Sequence, residues 1–296
     1  MRRDTIAAVL CAVLAVACTA TPAATSPTPK VAEPPTIAPT ATPSPSPTPL
    51  PHVFVIVMEN RSLTTALRSE VINGLASNHA LATNYRAVAY PSLPNYLALT
   101  SGSTHGVIDN GYYALPAGGI GAQLTQAAIP WRAYMEGMTD AGCMRSPYPY
   151  ALKHNPFAYY GGACPPNVAP LEMLDADLAR DTPNFAWITP GLCHDGHDCA
   201  LTEAGAWVND LVTRIVASGA FRQRGIIFIV WDEDDGASGN VVPLIVIADG
   251  GPVRQTATPY DHYSLLATIE DLFKLPRLGA AADASPIAEL LPPARP

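Results

Sequence analysis

Two runs, Val53-Phe54-Val55-Ile56-Val57 and Ile226-Ile227-Phe228-Ile229-Val230, restrict the fold of this chain more than any other feature. Successive side chains of a strand point to opposite faces, so a run without a polar position is a strand buried on both faces. Asn184-Phe185-Ala186-Trp187-Ile188 reads as another such strand, and the run from Val241 to Ile247 as a further one, with Pro243 near its start. Between them, Trp207, Leu211 and Ile215 repeat at intervals of four beside Val208, Val212 and Val216. Leu265, Leu266, Ile269, Leu272 and Phe273 mark a second helix face. Strands alternating with amphipathic helices predict an α/β domain around a mostly parallel sheet.

The N-terminal end has a different character. Arg2 and Arg3 precede an apolar run from Ile6 to Ala17, too short to span a bilayer and suited to a signal peptide over residues 1–18. Ala15-Val16-Ala17-Cys18 satisfies the rule for signal-peptidase cleavage and also approximates a bacterial lipobox. Cys18 is therefore either a lipid anchor, which would be the only membrane contact, or the end of the leader of a freely secreted protein. Residues 19–51 hold 11 of the 31 prolines and read as an extended Pro/Thr/Ser linker. The domain proper is expected over residues 52–296, outside the cytoplasm. Of the chain's 17 basic and 25 acidic residues, that segment keeps 14 and 23, a net charge of −9. This balance argues against a nucleic-acid partner, and no apolar stretch of about 18 residues is present to cross a membrane.

Four cysteines remain in the exported part: Cys143, Cys164, Cys193 and Cys199. They allow three disulfide pairings. The short span from Cys193 to Cys199 favours that bridge, with Cys143–Cys164 as the second. Zinc ligation is the rival reading, without a Cys-x-x-Cys spacing to support it. The segment from about 140 to 170, rich in Pro, Tyr and Gly, reads as a long functional loop.

Acidic residues follow both defining strands directly: Glu59-Asn60 after the first, and Asp232-Glu233-Asp234-Asp235 after Trp231. In open α/β sheets ligands bind beyond the carboxyl ends of the strands. If the two strands are parallel neighbours, Glu59, Asn60, Asp232 and Glu233 converge on one rim as a set of hard oxygen donors. Such a set suits one divalent ion, calcium, magnesium or manganese ahead of zinc. Taken singly, each acidic pair could merely cap a helix or face water. In Tyr90-Pro91-Ser92-Leu93-Pro94-Asn95-Tyr96, each proline favours an extended residue before it, and Pro94 suits the first turn of a helix. Ser92 then stands at a helix N-terminus, where it is either a simple cap or, beside a metal, an activated nucleophile and metal ligand. Among the histidines, His154 and His197 are candidate catalytic groups. His194 and His262, with Asn60, are candidates for holding substrate.

Taken together, Val57-Met58-Glu59-Asn60-Arg61-Ser62, Pro91-Ser92-Leu93-Pro94-Asn95-Tyr96, Cys193-His194-Asp195-Gly196-His197-Asp198-Cys199 and Trp231-Asp232-Glu233-Asp234 resemble the bacterial phosphoesterase family of the alkaline-phosphatase-like superfamily. That family includes secreted acid phosphatases and phosphatidylcholine-preferring phospholipases C. The resemblance runs from His52 to about Leu275. It implies an alkaline-phosphatase-like fold, a three-layer α/β/α sandwich around a mostly parallel sheet, with a metal held by Glu59, Asn60, Ser92, Asp232 and Glu233, and His154 and His197 on the phosphoryl oxygens. Because an acidic pair replaces the Asp-His pair of two-zinc alkaline phosphatases, it implies one metal rather than two. The expected substrate is a phosphate monoester, with lipid-derived phosphoinositides within range. A phospholipase C or other phosphodiesterase is the alternative, and a non-catalytic cell-surface binding domain is the alternative from another class.

Overall fold

The computed structural model describes residues 49–293 apart from 141, 237 and 238. The expected leader, the Cys18 anchor and most of the linker lie outside the described residues. In chain order the elements are β1 (His52–Met58), α1 (Leu63–Ala66), α2 (Glu70–Asn78), β2 (Ala80–Arg86), α3 (Ser92–Ser101), α4 (Gly119–Gln126), β3 (Trp131–Met135), β4 (Val168–Pro170), α5 (Leu174–Ala179), β5 (Phe185–Thr189), α6 (Leu201–Ala217), α7 (Gly219–Arg222), β6 (Gly225–Trp231), β7 (Val241–Ala248), β8 (Gln255–Thr256), β9 (Tyr260–Asp261) and α8 (His262–Phe273). The strands form one sheet in the order β4-β3-β5-β1-β6-β7-β2-β8, with β9 also beside β2.

The two defining runs are the central neighbours β1 and β6, paired in parallel from His52 with Gly225 to Met58 with Trp231. Every residue from Val53 to Met58 has 0% exposure, so both faces of the sheet are covered. α2 packs with α6, and α3 packs with α8 and α4. The fold is a mixed α/β sandwich around a mostly parallel sheet, as the uninterrupted apolar runs require.

One strand runs the other way. β7 is antiparallel to both β6 and β2, because the stretch between β6 and β7 is too short for the crossover that a parallel neighbour needs. The acidic segment after Trp231 is therefore a hairpin loop. Pro243 lies near the start of β7, as expected. It has no N–H to give, and β2 answers with a register shift between Ala82 and Tyr85.

Two further expectations are corrected locally. Leu93 is helical despite the proline after it. Its side chain is fully buried, and its amide donates to Asn110 Oδ1 at 3.0 Å. The 140–170 segment is not a plain loop: it contains tight 3-10 turns at Leu152–His154 and Pro156–Ala158 and ends in edge strand β4. Cys143–Cys164 and Cys193–Cys199 are both bridged.

Candidate active site

Strand register builds the site. Met58 pairs with Trp231, so the next residues, Glu59 and Asp232, leave the sheet side by side. The Asp232 amide donates to Met58 O at 3.0 Å, and the Asn60 amide donates to Asp232 Oδ1 at 3.1 Å. Asn60 reaches that position with φ +50°, a left-handed conformation that asparagine tolerates better than most residues. Its side-chain amide donates to Glu59 Oε2 at 3.2 Å.

Ser92 is the first residue of α3, a helix buried along its whole length. Ser62, Ser69 and Ser218 each cap a helix with their hydroxyl. Ser92 does not: the N-cap is Pro91, and the Ser92 hydroxyl instead points at Glu59 Oε2 (3.2 Å) and Glu233 Oε1 (3.4 Å). Asn95, one turn on, holds the preceding bend. Its Oδ1 accepts from the amides of Val88 and Ala89, and its Nδ2 donates to Ala89 O and towards Glu233 Oε2. Tyr96 lies four residues after Ser92 on the same helix face and donates to Glu59 Oε1 at 2.6 Å.

His154 is buried to 1%, stacked on Tyr96 with ring centroids 5.1 Å apart. Its Nε2 lies 3.1 Å from Glu59 Oε1 and its Nδ1 3.4 Å from Asp195 Oδ2. Neither ring nitrogen makes a directed hydrogen bond, and Asp195 Oδ2 and Asp232 Oδ2 are likewise buried without one. Glu59, His154 and Asp195 form a buried group that could hold a metal ion, with donor atoms within 4.8 Å of one another.

The Cys193–Cys199 loop divides its residues. Asp195 points inward, and its backbone carbonyl accepts from the Glu59 amide at 2.9 Å. His197 points outward with 33% side-chain exposure. Its Nδ1 lies 2.7 Å from Asp198 Oδ1, and its Nε2 lies 3.4 Å from Lys153 Nζ. His194 is not brought to the cluster in the same way. It faces Glu136 Oε1 at 2.7 Å and stacks on Trp207, tying the end of β3 to this loop. His262 is fully buried, with both nitrogens engaged: Nε2 against the Asp232 carbonyl at 2.7 Å and Nδ1 against Tyr85 OH at 2.9 Å. Its ring thus ties the Asp232 backbone to Tyr85. Asp234 and Asp235 shape the hairpin. Asp234 accepts from the amides of Gly236 and Asn240 and from Tyr90 OH, and Asp235 accepts from Thr65.

Sequence reasoning missed Asp195, Tyr96, Asn95, Lys153 and Glu136. Glu136 carried a usable signal, an acid directly after a strand, but Trp131–Met135 includes Arg132 and lacks the continuous apolar pattern.

Burial and mutual repulsion shift the ionisable groups of the cluster. Burial, then the charges of Asp232 and Asp195, push Glu59 well above the usual carboxylate range. Burial raises Asp195 to about 8, against the His197 amide that holds it down. Burial and Asp232 raise Glu233 to about 8, and burial takes Asp232 to about 6. Burial, with Lys153 and His197 nearby, drives His154 well below its ordinary value, and burial lowers His262 to about 4. Four crowded carboxyls, with buried oxygens and imidazole nitrogens lacking hydrogen bonds, fit a hard divalent cation.

A stability prediction follows from the sign of these shifts. In the unfolded chain the carboxyls ionise near about pH 4, whereas the metal-free fold retains protons on them up to about pH 6–8. Over that window the fold binds more protons than the unfolded chain, so stability falls as pH rises. Chelator-treated protein should melt lower at pH 8 than at pH 5, and added calcium, magnesium or manganese should reverse most of the loss. Melting curves insensitive to both pH and metal would contradict the cluster as described.

The fold is an alkaline-phosphatase-like sandwich with an acidic rim at the carboxyl ends of its strands. A protein of the alkaline phosphatase superfamily from Vibrio parahaemolyticus superposes with a TM-score of 0.55 at 11% identity, over 77% of this chain and 67% of that one. The phosphonate monoester hydrolase of Agrobacterium radiobacter does so at 0.54 and 10%, over 83% and 78%. At these identities the likeness concerns the fold alone. The sequence pattern of the Phosphoesterase family matches residues 64–276, and the chain belongs to that family. A phosphatidylinositol-3-phosphatase of Mycobacterium tuberculosis is 30% identical over 81% of this chain and 82% of its own length. A probable acid phosphatase of Kluyveromyces lactis is 29% identical over 76% of this chain, which spans 59% of that longer protein.

Proposed function

We propose that this protein is an exported, metal-dependent acid phosphatase that hydrolyses phosphate monoesters through a phosphoserine formed on Ser92. Phosphoric monoester hydrolase is the enzyme class of its named relatives. The observation that carries the reading is the Ser92 hydroxyl, which starts a buried helix yet caps nothing and hydrogen-bonds to Glu59 and Glu233.

A carboxylate therefore stands where the serine proton must go. Ser92 Oγ attacks phosphorus, forming the Oγ–P bond as the ester P–O bond breaks, and water later releases phosphate. Glu59, Asn60, Ser92, Asp232 and Glu233 would hold the metal, with Asp195 and His154 closing the inner side. When bound, the ion would supply positive charge for the serine oxygen and the phosphoryl oxygens. Tyr96 fixes Glu59, and His262 fixes Asp232 through its backbone carbonyl. Of the two histidines expected to be catalytic, His154 is enclosed among carboxyls, while His197 keeps an accessible ring. His197 is the residue we assign to return a proton to the leaving oxygen. The two disulfides suit an oxidising compartment, and among the described residues no helix is long and apolar enough to cross a membrane.

The test is a substrate panel with metal supplied: p-nitrophenyl phosphate, bis(p-nitrophenyl) phosphate, and dispersed phosphatidylinositol 3-phosphate, the last motivated by the mycobacterial relative. Monoesters should be cleaved and the diester left intact. Preferential diester cleavage would make the protein a phosphodiesterase or phospholipase C, and no cleavage of any ester would leave a binding domain.

A further inference from the structure

A dianionic phosphate monoester approaching this rim meets four carboxyls, and one divalent ion offsets only part of that charge. The Arg61 guanidinium is engaged locally, donating to Asn60 O at 2.7 Å. Lys153 is one of only three lysines in the chain. It lies on the 3-10 turn Leu152–His154, immediately before the imidazole that touches Glu59. That turn is anchored where the His154 carbonyl accepts from Thr189 Oγ1 at 3.1 Å. The half-buried Lys153 ammonium reaches His197 Nε2 at 3.4 Å. With Asp198 accepting from His197 Nδ1–H at 2.7 Å, Nε2 presents a lone pair to the lysine. This contact uses one of three ammonium donors. The positive charge is felt at Glu59, Asp195 and Glu233 alike, where it favours the ionised form.

We propose that Lys153 is a catalytic residue: its ammonium, steered by His197, takes a non-bridging oxygen of the phosphoryl group while that group passes to Ser92. The assignment rests on the phosphatase reading above. Lys153 neither gains nor loses a proton in the step. It supplies fixed positive charge where the equatorial oxygens gather negative charge in the transition state. Once a phosphoryl oxygen has drawn the ammonium onto itself, His197 Nε2 is released from that contact and is free to carry the proton given to the leaving oxygen.

Lys153→Met keeps the stem and removes the charge. In metal-loaded protein, calorimetric binding of inorganic phosphate should weaken by about tenfold or more. Turnover of p-nitrophenyl phosphate should fall by about 10²-fold. Metal affinity should stay the same or tighten, since a cation has been removed from beside the metal's carboxylates. Lys153→Arg should restore part of the phosphate binding. Phosphate affinity within about twofold of wild type in Lys153→Met would overturn the assignment. So would a joint loss of phosphate and metal binding, which would make Lys153 only a support for the carboxylate cluster. Phosphate binding is read at equilibrium, without turnover, so this assignment stands or falls separately from the Ser92 mechanism.

Discussion

Ser92→Ala should reduce turnover of phosphate monoesters by at least about 10³-fold, since it removes the oxygen we propose as the nucleophile. Its cost in stability should be small. The hydroxyl makes two long hydrogen bonds, 3.2 and 3.4 Å, and caps no helix. Loss of one such donor amounts to about 1 kcal/mol. Acid-quenched wild-type enzyme should carry phosphate on Ser92, and the alanine variant should carry none. Near-normal turnover by Ser92→Ala, in folded protein, would remove the phosphoserine mechanism whatever the family membership.

Asp232→Asn should give the opposite pattern. Oδ1 can still accept from the Asn60 amide, and the new amide nitrogen takes the place of Oδ2, which has no hydrogen bond. One charge leaves a crowded buried cluster. The metal-free variant should therefore melt above metal-free wild type at pH 8, where the wild-type carboxyl is ionised. The same change removes a proposed ligand, so metal affinity should drop by at least about 10²-fold, more than loss of a supporting residue costs. The expected result is a more stable protein with little activity and little stabilisation by metal. If Asp232→Asn retains both the metal-induced shift in melting temperature and normal turnover, Asp232 is not a ligand.

The two variants separate chemistry from charge balance, because Ser92 and Asp232 reach the same rim by different routes. Asp232 arrives by strand register, one residue beyond the paired Met58 and Trp231. Ser92 arrives on a helix whose start is set by Asn95 and by Asn110, from the loop that follows the helix.

What the sequence determined by itself was whatever depends on a short local pattern. Uninterrupted β-branched runs demand a sheet covered on both faces, and an acid directly after such a run lands on the carboxyl rim. Those rules place β1, β6, Glu59 and Asp232, and they point to Ser92 through the prolines around it. Tertiary structure decided everything that depends on which way a side chain turns. Within the loop Cys193–Cys199, Asp195 goes to the interior and His197 to the surface, although both lie inside one tight bridge. His262 spends one nitrogen on the Asp232 carbonyl and the other on Tyr85, and His194 stacks on Trp207. The strand period reports the face of a residue, but in an irregular loop only the partners across the fold orient each side chain. Lys153 shows the same limit: in the sequence it is a lysine beside a histidine, and only the packing of the Leu152–His154 turn against the bridged loop sets its ammonium against His197.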